Sequence, residues 1–165
     1  MNQNTLWRNE LNKYYKKMDK QKRIIGITCS TFDLLHAGHI IMLEECKKYC
    51  DYLICALQVD PSIDRQEKNK PIQSLVERYI QLDAVQHVDK IIPYNTEEEL
   101  LTIFSSLDLD VRIIGEEYKD KDFTAKDVCM KRNIKFVYNK RDHDFSTSSL
   151  RKRIYEQEST KRFVK

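Results

Sequence analysis

Five short runs dominated by Ile, Val, Leu and Tyr alternate with longer amphipathic stretches from residue 24 onward, and few architectures accept that alternation. The runs are Ile24–Cys29, Tyr52–Val59, Val88–Pro93, Val111–Ile114 and Ile134–Tyr138. They are nearly continuous in apolar character, as strands buried on both faces must be. The intervening stretches predict helices near 37–49, 74–86, 96–107 and 124–132, with a last one after Ser148. Ser74 and Glu77 stand at the spacing of a capping box, which sets the start of the second helix; Thr96 and Glu99 repeat it before the third. Strands and helices taking turns in this way predict an α/β domain: a doubly wound, five-stranded parallel sheet with right-handed crossovers and helices on both faces.

A chain of 165 residues holds one such domain with a sizeable core and is too short for two. Its first residues stand apart. Trp7, Leu11, Tyr14 and Met18 recur in steps of 4, 3 and 4 on a basic segment, the pattern of an amphipathic helix packed on the domain or on a partner. Residues 1–23 are therefore expected to form a basic helical extension, and residues 24–165 the main domain. Residues 1–23 carry seven Lys or Arg against two Asp or Glu, and residues 150–165 six against two, so the middle is acidic although the net charge is +3. An acidic body argues against a nucleic-acid partner. No apolar run approaches the roughly 20 residues of a membrane helix, and the first residues hold no secretory stretch. Five cysteines without a C-x-x-C pair read as reduced thiols, so a cytoplasmic location is expected. Only three glycines are present, which excludes Walker-type and dinucleotide Gly-rich loops.

In an open parallel sheet, ligands bind beyond the carboxyl ends of the strands. The segments leaving the strands here include STFDLLHAGH, DPSIDRQEKNK, GEEYKD and NKRDHDFSTSS, rich in His, Lys, Arg and hydroxyls; those entering strands are plain helix ends and turns. Within the first, His36 and His39 lie three residues apart on the opening turn of a helix and point to one side. The helix N-terminus already favours an anion, and two imidazole donors suit a phosphate with extra negative charge. Gly38 lets a ring or a phosphate lie against the backbone. Two other readings stay open: a structural turn with surface histidines, and a metal site with Asp33 or another acid as a third ligand.

STFDLLHAGH resembles the signature of the cytidylyltransferase-like nucleotidyltransferases, and in particular that of glycerol-3-phosphate cytidylyltransferases. The resemblance spans roughly residues 24–155 and takes in EKNKP, SLVERYIQL, IIGEEY and RDHDFSTSSLRKRI. Class I aminoacyl-tRNA synthetases share the His-x-Gly-His turn, but this chain is too short for them and lacks their Lys-Met-Ser-Lys-Ser-like loop. The resemblance implies a Rossmann-like HxGH nucleotidyltransferase fold and transfer of CMP from CTP to a phosphorylated alcohol, with release of pyrophosphate and with Mg²⁺ accompanying the triphosphate. Positioning and charge stabilisation would then carry the catalysis.

On that resemblance, His36 and His39 donate to the triphosphate, and Thr31, Phe32, Asp33 and Gly38 hold the nucleotide. For Asp33, capping the turn and contacting a ligand or Mg²⁺ are both open. At least one of Lys68 and Lys70 clamps the acceptor phosphate or the α-phosphate, with a solvated loop as the alternative reading of this segment. Arg78 sits near a helix N-terminus, against the dipole, which suggests that it is kept for an anion such as the acceptor phosphate, with an ion pair as the alternative. Gly115, Glu116 and Glu117 lie by the base; the family usually has Asp at the last of these. Arg141 neutralises leaving pyrophosphate, and Ser146, Thr147 and Ser148 reach the phosphates or cap the last helix. Ser30 stands where the family often has Gly. An adenylyltransferase using ATP on another phosphorylated alcohol or sugar is the alternative enzyme, and a nucleotide-binding module without turnover the alternative class. A homodimer is expected, with the Trp7–Met18 stripe as an apolar surface. His87 and His143 receive no role, and no cysteine reads as a nucleophile.

Overall fold

The computed structural model describes residues 23–140 and 142–162, so the expected extension helix and Arg141 lie outside the described residues. The elements run β1 (Ile25–Ser30), α1 (Ala37–Cys46), β2 (Tyr52–Gln58), α2 (Leu75–Asp83), β3 (Lys90–Tyr94), α3 (Glu97–Ser106), β4 (Val111–Gly115), α4 (Lys126–Lys131), β5 (Lys135–Asn139) and α5 (Thr147–Arg162). A 3-10 turn, Glu116–Tyr118, follows β4. All five strands are parallel in the order β3-β2-β1-β4-β5. The expected doubly wound sheet is therefore present, with strand bounds shifted by no more than two residues.

Helix starts follow the sequence closely because they are set by side chains. Ser74 accepts the Glu77 N–H while the Glu77 carboxylate accepts the Ser74 N–H, the complete box that opens α2. At α3 only half of it forms: Thr96 accepts the Glu99 N–H, but the Glu99 carboxylate takes the N–H of Asn95. Ala125, at φ 64°, holds the start of α4 to Lys126.

Two apolar layers sandwich the sheet. Phe32, Leu43, Leu53, Leu57, Leu82 and Ile113 pack between the sheet and α1 and α2. Ile27, Ile54, Leu100, Phe104, Cys129 and Ile134 pack between its other face and α3 and α4. The chain turns to opposite faces after β1 and after the neighbouring β4, and that divergence opens a crevice at the carboxyl edge between them.

Candidate active site

A cavity of about 630 Å³ occupies this crevice, within the roughly 300–1,000 Å³ typical of ligand pockets. Its first side is built by the loop from β1 to α1. Phe32 and Leu34 adopt left-handed backbone there, at φ 49° and 51°, a conformation that costs non-glycine residues of order 1–3 kcal/mol each. Tertiary contacts hold it. The Phe32 ring is fully buried, and the Leu34 N–H donates to Gln73 Oε1 at 2.7 Å. Asp33 accepts the N–H groups of Ile72 at 3.0 Å and Gln73 at 2.9 Å, and pairs with Arg151 at 2.5 Å.

The two histidine rings stack with centroids 4.0 Å apart, and both line the cavity. His36 Nδ1 accepts the Gly38 N–H at 3.1 Å and so caps α1. With Nδ1 accepting, the proton of the neutral ring resides on Nε2, which lies 3.3 Å from Thr147 Oγ1; that hydroxyl donates to the Asp33 carbonyl at 3.3 Å. His39 lies against Phe32, ring centroids 5.6 Å apart. Ser146 caps α5 by accepting the Ser149 N–H at 3.1 Å. The N-termini of α1 and α5 thus meet at one wall of the cavity, where their N–H groups and dipoles favour an anion.

Gly38 makes this convergence possible. A Cβ there would lie 2.8 Å from His143 Cε1, 2.9 Å from the Phe145 carbonyl oxygen and 3.0 Å from His36 Cε1. The segment before α5 rests directly on the first turn of α1, and it carries His143 into the cavity lining with Nδ1 buried and without a hydrogen-bond partner.

The remaining expected residues divide. Thr31, Lys68, Gly115, Glu117 and Ser148 line the cavity. Glu117 folds its carboxylate back over Gly115, where a Cβ would collide with it. Lys70 and Glu116 are exposed and outside the lining; the Lys70 carbonyl accepts from Arg151. Phe32 is corrected from a nucleotide contact to a core residue, because its ring is drawn into the layer under α1. Asp33 also borders the cavity, and its carboxylate accepts from two backbone N–H groups and from Arg151, the turn-holding role that the sequence left open.

Arg78 is the largest correction. It is 2% exposed, and its guanidinium donates to the carbonyls of Gln73, Thr31, Gln58 and Val59 at 2.7–3.1 Å. Burial lowers its pKa, opposed by Asp33 and Asp60. The cation placed against the helix dipole does have negative partners, but they are the protein's own strand-end carbonyls.

Burial alone would raise the Asp33 carboxyl; the Gln73 and Ile72 N–H groups and the Arg151 guanidinium outweigh it and hold the pKa below 3.8. A carboxyl depressed on folding binds fewer protons than in the unfolded chain. Its stabilisation is complete above the unfolded value and is lost as pH falls through the folded one. Asp33→Asn is expected to cost about 1–3 kcal/mol at pH 7, and the gap from wild type should close as pH drops well below 3.8. Urea melts at pH 7 and in acid check this; a gap that persists in acid would show that the charge is immaterial.

The second side of the cavity was not legible in the sequence. Gln58, Arg65, Tyr94, Glu97 and Thr124, from the end of β2 and the loop after it, the end of β3, the start of α3 and the approach to α4, all line it. Arg65 donates to Gln58 Oε1 at 2.8 Å and lies 3.3 Å from Glu97; Gln58 donates to Glu97 at 3.2 Å, and Thr124 donates to the other Glu97 oxygen. Arg65 falls in a segment already placed beyond a strand. Glu97, however, looks in sequence like any acid favoured in a first helical turn. Cys29 also lines the cavity, but burial pushes its thiol up to about 11, so it is no nucleophile at neutral pH.

The family model described as cytidylyltransferase-like matches residues 27–153, from β1 into α5. The chain belongs to the cytidylyltransferase-like family. It is an enzyme of the nucleotidyltransferase class, and the family match takes in both walls of the cavity. The chain is 33% identical over 128 residues to glycerol-3-phosphate cytidylyltransferase of Bacillus subtilis, an alignment covering 78% of this chain and 95% of that one. It is 30% identical over 151 residues to the bifunctional protein HldE of Aliarcobacter butzleri, covering 90% of this chain but 30% of the relative. Among solved structures, the lipopolysaccharide core biosynthesis protein of Thermoplasma volcanium superposes with a TM-score of 0.60 at 26% identity, over 73% of this chain and all of that one. In this cytidylyltransferase-like chain no helix among the described residues is long and apolar enough to cross a membrane.

Proposed function

We propose that the protein transfers CMP from CTP to a phosphorylated alcohol, glycerol 3-phosphate first among the candidates, and releases pyrophosphate. One observation carries the reading: His36, His39 and the N-termini of two helices face one wall of a single cavity. A triphosphate held there has its negative charge met by N–H donors that are already in place. As the acceptor phosphate attacks in line and charge shifts toward the leaving pyrophosphate, those donors strengthen their hold without reorganising. Lys68, on the loop after β2, enters the same cavity and supplies a cation near the acceptor.

Mg²⁺ fits this site as a passenger on the triphosphate, where it would neutralise phosphate oxygens. Magnesium usually keeps several waters and takes one or two carboxylates plus substrate phosphates. Among the described residues no three His, Cys, Asp or Glu side chains converge on one point, and the Asp33 carboxylate is already committed. The reading is tested by incubating the protein with Mg²⁺, each of the four nucleoside triphosphates and a panel of phosphorylated alcohols, and assaying pyrophosphate. CTP with glycerol 3-phosphate is the expected productive pair. ATP in its place would identify an adenylyltransferase, and CTP binding without turnover on any acceptor a regulatory module.

A further inference from the structure

At the wall where α1 and α5 meet, the polar side chains are bonded to one another or to backbone, with one exception. His36 Nδ1 accepts the Gly38 N–H, Thr147 donates to the Asp33 carbonyl, and Ser146 accepts the Ser149 N–H. His143 differs. Its Nδ1 is buried without a hydrogen-bond partner, and no hydrogen bond joins its ring to any other described residue. The ring is nevertheless drawn in: Asp142 and Asp144 on either side are exposed, whereas His143 is half-buried and lines the cavity. Its Cε1 and that of His36 lie 2.8 and 3.0 Å from the point that a Cβ on Gly38 would occupy, and the His36 ring stacks on His39. Three imidazoles thus gather around the first turn of α1. An imidazole kept only to fill this space would carry a buried, unpaired nitrogen, a cost that an apolar ring beside Phe145 avoids. With no acceptor beside Nδ1, the proton of the neutral ring is held on Nε2, as in His36. On a wall that favours negative charge, the acceptor this N–H lacks is an oxyanion.

We propose that His143 is a third phosphate-binding imidazole, which donates from Nε2 to the polyphosphate of the bound nucleoside triphosphate and keeps that contact with the released pyrophosphate. The proposal rests on the transferase reading above and adds to it a residue from the segment before α5. The acceptor phosphate is the poorer match. An in-line displacement puts acceptor and leaving group on opposite sides of the α-phosphorus. Lys68 follows β2 and His143 follows β5, and these strands lie on opposite sides of β1. The cation near the acceptor and the donor to pyrophosphate therefore come from opposite sides of the crevice. A donor that meets a charged oxygen makes a stronger bond than one that meets a neutral partner, so one such ring has a measurable effect on affinity.

The test uses the full chain with Mg²⁺ and pyrophosphate, and then with CTP or whichever triphosphate is productive. The chain has four histidines, and His87, placed before β3 at the opposite edge of the sheet, is the internal control. In the ¹H–¹⁵N imidazole spectrum of the wild-type protein, pyrophosphate is expected to shift the ring nitrogens of His36, His39 and His143 and to leave His87 unmoved. A response from His36 and His39 alone overturns the proposal. His143→Phe removes both nitrogens and keeps a flat ring. By titration calorimetry its Kd for pyrophosphate and for the triphosphate is expected to rise about tenfold or more, while the acceptor KM stays within about twofold and Tm is no lower than in wild type. His143→Gln returns an N–H donor at a similar reach and is expected to recover most of the lost affinity. A packing role requires the reverse order, with Phe tolerated and Gln not, and that order overturns the proposal. Unchanged affinity in a folded His143→Phe protein, or a rise confined to the acceptor KM, also overturns it and leaves the transferase reading intact. Failure of the wild type to bind pyrophosphate and any triphosphate overturns both. The wild-type spectrum decides the matter even if neither variant folds.

Discussion

Replacing His39 with alanine is expected to lower kcat by about a hundredfold or more, the usual cost of deleting one donor that stabilises charge in the transition state. The ring lines the cavity on the first turn of α1, stacked 4.0 Å from His36. His39 is not the cap of α1, since His36 Nδ1 fills that role. Its loss should therefore fall on turnover, with the melting temperature little changed. The measurement is steady-state pyrophosphate release with a thermal melt on the same sample. Near-normal kcat in a folded His39→Ala protein would remove this ring from the chemistry. His36→Ala is a poorer probe, because it removes the helix cap and the link to Thr147 along with any phosphate donor.

Replacing Arg78 with methionine is expected to destabilise the fold by roughly 3–5 kcal/mol. Four hydrogen bonds from a charged donor are lost at once, each worth about 1.5–3 kcal/mol in isolation, and relief of the buried charge offsets part of the sum. For a chain of this size that corresponds to a fall in Tm of roughly 6–20 °C. Arg78→Lys should recover only a fraction, since a single ammonium cannot span carbonyls on the ends of β1 and β2 and on the approach to α2. A different result is required if Arg78 serves an acceptor phosphate: an unchanged Tm with a raised acceptor KM. That outcome would sink the structural role.

The roles of Arg78 and Asp33 share a cause. Both are charged residues in loops or helix starts at the ligand-binding edge, and local sequence shows that each needs a partner without showing which. Arg78 finds carbonyls 5, 19, 20 and 47 residues away, and Asp33 finds Arg151 at a separation of 118. Glu97 was missed for a related reason. Its neighbours Gln58, Arg65 and Thr124 come from three other stretches of chain, and nothing within α3 distinguishes it from the acids beside it.

The amino-acid sequence alone determined the order of elements, the parallel sheet and the edge at which the cavity lies. These depend on apolar periodicity and on capping side chains that act within a few residues of their targets. It also located the His36–His39 turn, because that motif is contiguous and lies directly beyond a strand. Only the tertiary structure decided which polar side chains face the cavity and which are consumed in holding it open. A charged group goes to whichever counter-charges or backbone dipoles the fold brings within hydrogen-bonding distance, and those distances exist only after the sheet has formed.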